Sequence, residues 1–182
     1  MKKTLAAIGI KLFCFLVIAS MMTPLQAQDA KDQKIIDDAK EAKSAFTKAD
    51  GLMTSLFNSA YGYAIFPNVG KGGIGIGGAA GNGVVYEGGQ LIGMAKMTQL
   101  TIGFQWGGQA YREVILFESK EDLDRFKENN VEFSAQASAV AVTAGASANA
   151  KYSNGVMIFT QTKGGLMYEA TVGGQKFKFR EL

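Results

Sequence analysis

The amino-acid sequence predicts an α+β fold: N-terminal helices packed on a curved, mainly antiparallel β-sheet, either open or rolled toward a barrel. Three observations carry this. Apolar residues recur at spacings of four and three between Asp29 and Ala49, the period of one helix face. Beyond Tyr61 the pattern changes to short β-prone runs punctuated by glycine. Glycine supplies 23 of 182 residues, about 13% against a usual ~7%, while proline occurs twice. Such an excess without proline marks turns and close backbone approach, not a collagen or a Pro-rich linker. A helical start followed by a run of strands is the pattern of an α+β domain.

The chain opens with Met1-Lys2-Lys3, then an apolar run from Leu5 to Met22 broken by Lys11, then Thr23-Pro24-Leu25-Gln26-Ala27. Basic, apolar and small-residue regions in that order read as a secretory signal peptide, with cleavage expected after Ala27 and a retained membrane anchor as the alternative. Lipid modification of Cys14 is not expected, because Phe13 stands where that signal wants a small residue. Removing the first 27 of 182 residues leaves 155. Lys2, Lys3 and Lys11 leave with them, so 16 Lys+Arg face 16 Asp+Glu and the formal +3 becomes zero. A neutral chain has no global basic field for nucleic acid, so any anion-binding patch must be local. The expected location is the periplasm or cell envelope, or outside the cell. The expected organisation is a signal peptide over 1–27, a helical segment over 28–60 and a Gly-rich β core over 61–182 that forms one domain with the helices.

In the helix from Asp29 to Ala49, Ile35, Ala39, Ala42, Phe46 and Ala49 share a face, and Asp50-Gly51 ends it. Leu52 to Phe57 reads as a second short helix. The pair either packs on the sheet or presents an amphipathic helix to a membrane surface. Tyr63 to Phe66 is a strand, expected to stop at Pro67-Asn68. From Gly70 to Gly93, 11 of 24 residues are glycine. Gly73, Gly75 and Gly77 alternate with Ile74 and Ile76, giving a strand one bare face that another backbone or a ligand could approach. Gly81-Asn82-Gly83 reads as a turn before Val84 to Tyr86. Leu91 to Trp106 is β-prone with Lys96 its only charge, and Gly107-Gly108 reads as a hairpin turn.

Val114 to Phe117 is continuously apolar, a candidate central strand. Ser119 with Asp122 three residues on marks a helix start over Glu121 to Asn129. Phe133 to Ala150 has 18 uncharged residues whose alanines shift parity near Val142-Thr143, which suggests one long bent strand. Val156 to Thr160, Leu166 to Val172 and Lys176 to Arg180 read as a three-strand meander. In the last, Phe177 and Phe179 face one way and Lys176, Lys178 and Arg180 the other. That is either an edge strand guarded by charge or an anionic headgroup site.

Chemistry is constrained by absence. No histidine means no Ser-His-Asp triad, no Cys-His pair and no His ligand for zinc. One cysteine forms no intrachain disulfide. Gly73 to Gly78 matches G-x-G-x-x-G, but turn chemistry follows instead of a helix, and no acid lies between Glu87 and Glu113. Gly70-Lys71 is followed by Gly72, not the Ser or Thr of a phosphate-binding loop. Glu118, Glu121, Asp122 and Asp124 are better explained by the helix dipole than by a metal. No catalytic residue, metal or cofactor is expected.

Three ordered segments carry a resemblance. They are Tyr63-Ala64-Ile65-Phe66-Pro67 with Lys71-Gly72-Gly73, then Gly81-Asn82-Gly83-Val84-Val85-Tyr86, then Ala150-Lys151-Tyr152-Ser153 leading into Lys163-Gly164-Gly165-Leu166. Their order and spacing resemble the SYLF domain, over roughly Ala42 to Phe179. The resemblance implies membrane-lipid binding, phosphoinositides as ligands of some eukaryotic members, actin binding in some fungal members and a membrane-contacting N-terminal amphipathic helix. The expectation is a non-enzymatic lipid-binding protein of a bacterial cell envelope that contacts anionic phospholipid. Candidate residues are Ile35 and Phe46 for insertion and Lys34, Lys43, Lys176, Lys178 and Arg180 for phosphates. The alternatives are a structural or protein-interaction module without lipid and a small outer-membrane β-barrel.

Overall fold

The computed structural model describes residues 23–74, 76–102, 109–128, 138–164, 170–171 and 174–182. The chain divides into two compact units, Met1–Lys34 and Ile35–Leu182. In the first, the described part is the beginning of helix α1 (Thr23–Ala49), where Gln28 Nε2 donates to Asp32 Oδ1 at 2.9 Å, one helical turn on. The helix passes through Ala27 without a break. No helix among the described residues is long and apolar enough to cross a membrane.

The second unit holds the rest of α1, α2 (Leu52–Ser59), α3 (Lys120–Lys127) and eight strands. These are β1 (Gly62–Ile74), β2 (Ile76–Glu87), β3 (Gln90–Ile102), β4 (Gln109–Phe117), β5 (Ser138–Ala141), β6 (Val156–Gly164), β7 (Ala170–Thr171) and β8 (Gln175–Glu181). They follow the order β7-β5-β6-β4-β1-β2-β3-β8, antiparallel except for the β5–β6 pair. The α+β architecture is as the sequence predicts, and among the described residues no ladder joins β7 to β8, so the sheet is open. Val114 to Phe117 occupies the middle, between β1 and β6, and is fully buried.

The sheet is strongly rolled. Glu113 lies on β4 and Gln175 on β8, four strands away, which on a flat sheet at ~4.8 Å per strand would be roughly 19 Å. Yet Gln175 Nε2 donates to Glu113 Oε2 at 2.9 Å across the concave side. Small residues permit this curvature. At Gly83 a Cβ would run into the Ile65 carbonyl and the Phe66 ring, so no larger residue fits where β2 crosses β1.

Alternation divides the core into two layers. Inside the roll, Ala64, Phe66, Val85, Ile115, Phe117 and Phe177 pack with Leu123 and Phe126 of α3. The Phe126 ring lies 5.1 Å from Phe117 and 5.0 Å from Phe177, centre to centre. Ser119 starts α3 with a reciprocal cap: its Oγ accepts from Asp122 N, and Asp122 Oδ2 accepts from Ser119 N at 3.1 Å. Asp122 also pairs with Arg125. On the outer face, Ala39, Ala42 and Phe46 of α1 and Met53 and Phe57 of α2 cover Tyr63, Ile65, Val84, Val114, Leu116 and Phe159. Thus from Ile35 onward the apolar stripe of the helix is the stripe that packs on the sheet.

Several sequence expectations are corrected. β1 does not stop at Pro67: it runs through, with Pro67 buried where the register shifts on both neighbouring strands. A bulge is a place where a strand tolerates a missing N–H. Asn82 and Gly83 are mid-strand, opposite Lys96 and Ala95; β1 and β2 instead converge at Ile74 and Ile76. Within the described part of the long strand expected over Phe133 to Ala150, β5 is extended and Ala146–Asn149 is a 3₁₀ turn. That turn is held by buried Asp50, which accepts from Ser147 N (2.9 Å) and Ser147 Oγ (2.7 Å) and is thereby kept below the usual carboxylate range. The C-terminal strands are not a meander: β6 pairs with β4 and β5, β7 with β5 and β8 with β3. The Gly107-Gly108 turn, Gly75, residues 133–137 and all but Ala170 and Thr171 of the strand expected over Leu166 to Val172 lie outside the described residues.

Candidate functional site

β3 and β8 close one side of the sheet, and their ladder sets the register of every charge on it. Met94 opposes Arg180, Lys96 opposes Lys178 and Thr98 opposes Lys176. Directly opposed residues share a face. Met94 belongs to the outer core layer, so the whole row lies on the outer face, beside the helices and not under them. Lys96, Lys176, Lys178 and Arg180 are all exposed there. Two residues beyond Thr98 on the same face, Leu100 is 81% exposed, the most exposed large apolar residue described. The site is therefore a strip of four cations with one bare leucine at its end. On the reverse side of β8, Gln175 and Phe177 are buried and Phe179 half-buried, which is the alternation expected from the sequence.

The sequence-predicted candidates divide into two groups. Lys176, Lys178 and Arg180 come together on this strip. Lys34 is exposed on α1 within the first unit. Ile35 is half-buried against the outer core. Phe46 is fully buried beneath α1, so its ring serves the helix–sheet contact and is covered from any membrane while the helix stays docked. Lys43 is occupied as well. Its Nζ donates to Tyr63 Oη at 2.8 Å and sits 4.8 Å and 4.6 Å from the Phe57 and Tyr63 ring centres. Tyr63 in turn stacks on Tyr86 at 4.9 Å. This aromatic cradle, with Asn68 donating to Asp38 at 3.0 Å and Arg112 beside Glu41 at 3.5 Å, fixes α1 to the sheet.

Reading the sequence missed Lys96 and Leu100. Lys96 was visible as the single charge in a β-prone run, but only the β3–β8 register shows that it opposes Lys178. A second polar grouping was missed entirely: Lys71, Gln99, Tyr111, Glu113, Thr160 and Gln175 are buried, although most of their neighbours are apolar. Alternation places them on the inner face. Burial pushes the Glu113 carboxyl up to about 7, opposed by the Gln175 bond, and lowers the Lys71 ammonium; burial also raises Tyr111.

Comparison with known proteins bears on the strand half of this unit. Residues 98–181 match the model of the family described as "Ysc84: Las17-binding protein actin regulator". The chain is 32% identical over 174 residues to "Beta cell expansion factor A" of Aeromonas veronii, a match that takes in 84% of this chain and 64% of that protein. The chain thus spans just under two thirds of the length of this relative. The matched region contains β8, its partner segment of β3 from Thr98 onward, and the interior residues Gln99, Tyr111, Glu113, Thr160 and Gln175. The strand-rich region of this chain is thus similar to the Ysc84 family, the same family that the ordered glycine, tyrosine and lysine motifs set out above resemble.

Proposed function

We propose that this protein is a non-enzymatic binding domain for anionic phospholipid at a membrane surface of the bacterial cell envelope, reached by export. The observation that carries the reading is the Lys96–Lys178 pair. Like charges directly opposed across a ladder are destabilising, so a strip that holds them together beside Lys176 and Arg180 is suited to an anion from outside. Leu100 at the end of the strip adds apolar contact, and the two together are the usual combination for interfacial attachment. Lys34 and Ile35 remain candidates for a second contact. Phe46 and Lys43 do not take part while α1 is docked.

The test is cosedimentation of the purified chain with vesicles of phosphatidylcholine alone and of phosphatidylcholine with phosphatidylglycerol, over a salt series. Binding should appear with the anionic vesicles, weaken as salt screens it, and drop severalfold in Lys178→Glu. Absence of binding to either vesicle would overturn the reading. Two observations favour a second reading: the family description names a protein-binding member, and β8 is a sheet edge among the described residues. A protein-interaction module would ignore lipid and give a protein partner on crosslinking in the envelope.

A further inference from the structure

The inner face of the roll poses a separate question. Glu113 Oε1, Thr160 Oγ1 and Gln175 Oε1 are buried and have no hydrogen-bond partner among the described residues. They are neighbours. Thr160 stands directly across the β4–β6 ladder from Glu113, and Gln175 is hydrogen-bonded to the other oxygen of the same carboxylate. All three open atoms are oxygens, and each has lone pairs without a donor. A buried carboxylate is ordinarily paired with a cation or bound to a metal. Here Lys71 does not serve. What acts on Glu113 is burial, opposed by Gln175; what acts on Lys71 is burial alone. Among the described residues no hydrogen bond or ion pair joins the two.

The geometry points to a binding site for a small cation, a metal ion or a primary ammonium, held inside the rolled sheet by the Glu113 carboxylate, the Thr160 hydroxyl and the Gln175 amide oxygen. A set made only of oxygens suits a hard ion or N–H donors and excludes a soft, thiolate-seeking metal. The surroundings favour selectivity. Phe66 opposes Glu113 on β1, and Phe177 follows Gln175 on the same face of β8, so one side of the site is apolar. The other side is polar: Tyr111 comes from β4, Lys71 from β1 and Gln99 from β3, and of these only Tyr111 and Lys71 titrate. The cation competes with the proton of Glu113, so it binds more tightly as that proton leaves.

The experiment uses the full chain in buffer titrated with tetramethylammonium hydroxide, whose cation is bulky and has no N–H to donate. Sodium, potassium, calcium and ethanolamine, each as its chloride, are added at constant ionic strength, and the melting temperature is followed. At least one probe should raise it saturably, and more tightly at pH 8 than at pH 6. Response to a metal chloride identifies a metal site; response to ethanolamine alone identifies an ammonium site. Glu113→Gln should abolish the shift, and Thr160→Val should weaken it. No saturable shift with any probe, or an equal shift in Glu113→Gln, would overturn the proposal. If Glu113→Gln does not fold, the pH dependence and Thr160→Val decide in its place. Vesicles are absent from this experiment, so its outcome is independent of lipid binding at the outer strip.

Discussion

On the outer face, Lys96 and Lys178 stand opposite one another in water; on the inner face, Glu113 and Lys71 are buried, and among the described residues no ion pair joins them. Both faces hold charge that the fold does not neutralise, but under different conditions. Water and salt screen the outer pair, so its repulsion is small and it can be kept ready for an anion. The inner acid is buried away from bulk solvent, so its ionisation depends on what else enters the roll. The same ladders produce both situations, because in a strand every second residue changes side. Glu113 and Arg112, or Gln175 and Lys176, differ by one position in the chain and by their entire environment.

Substitutions in the helix-covered part of the outer face give the largest expected effect. Phe46 is fully buried between α1 and the sheet, and Phe46→Ala should cost about 3–5 kcal/mol in urea unfolding. Unchanged stability, with membrane attachment lost, would instead mean that the ring acts by insertion and that the helix-covered and bare parts of the outer face are not distinct.

Next in size is the inner acid. In the unfolded chain Glu113 loses its proton near its ordinary 4.5, and in the folded chain at about 7. Between those values the folded state holds the extra proton, so the contribution of this group to stability falls as pH rises and is flat on either side. Glu113→Gln removes the group and keeps an oxygen for Gln175. In cation-free buffer it should match the parent at pH 4 and exceed it at pH 8, by on the order of 3 kcal/mol. Urea unfolding at the two values measures this. A constant difference across pH would show that the carboxyl is not the titrating group.

What could be read from the sequence follows the same division. The helix stripe, the central strand Val114 to Phe117, the capped start of α3 and the two-sided β8 were legible because each is decided by neighbours within one element. Partnership was not. Local spacing does not say that β8 pairs with β3, so Lys96 could not be joined to Lys178, and β6, β7 and β8 looked like a meander. Nor could it show that Gly83 serves curvature: Asn82-Gly83 has the residues of a turn, and only the proximity of Ile65 and Phe66 reveals why a strand needs them. By type Phe46 and Lys43 suit a membrane contact as well as a packed face, and in the fold the sheet and the Phe57–Tyr63 cradle use them. Glu113 drew no attention because a single acid in an apolar strand has no motif.

The smallest effect on stability tests the function most directly. Lys96→Glu places an acid opposite Lys178 and replaces repulsion by attraction, a cross-strand change of about 0.2–1 kcal/mol in favour of the fold. The same substitution lowers the charge of the strip by two and gives Lys178 an internal partner. The variant should therefore melt at the same temperature as the parent or slightly above it, and cosediment severalfold less with anionic vesicles. Movement in opposite directions is what a binding strip requires, since its cations are held together at a small cost to folding for the sake of an external anion. If stability rises and vesicle binding is unchanged, the basic row only guards a sheet edge, and the four cations of β3 and β8 carry no ligand.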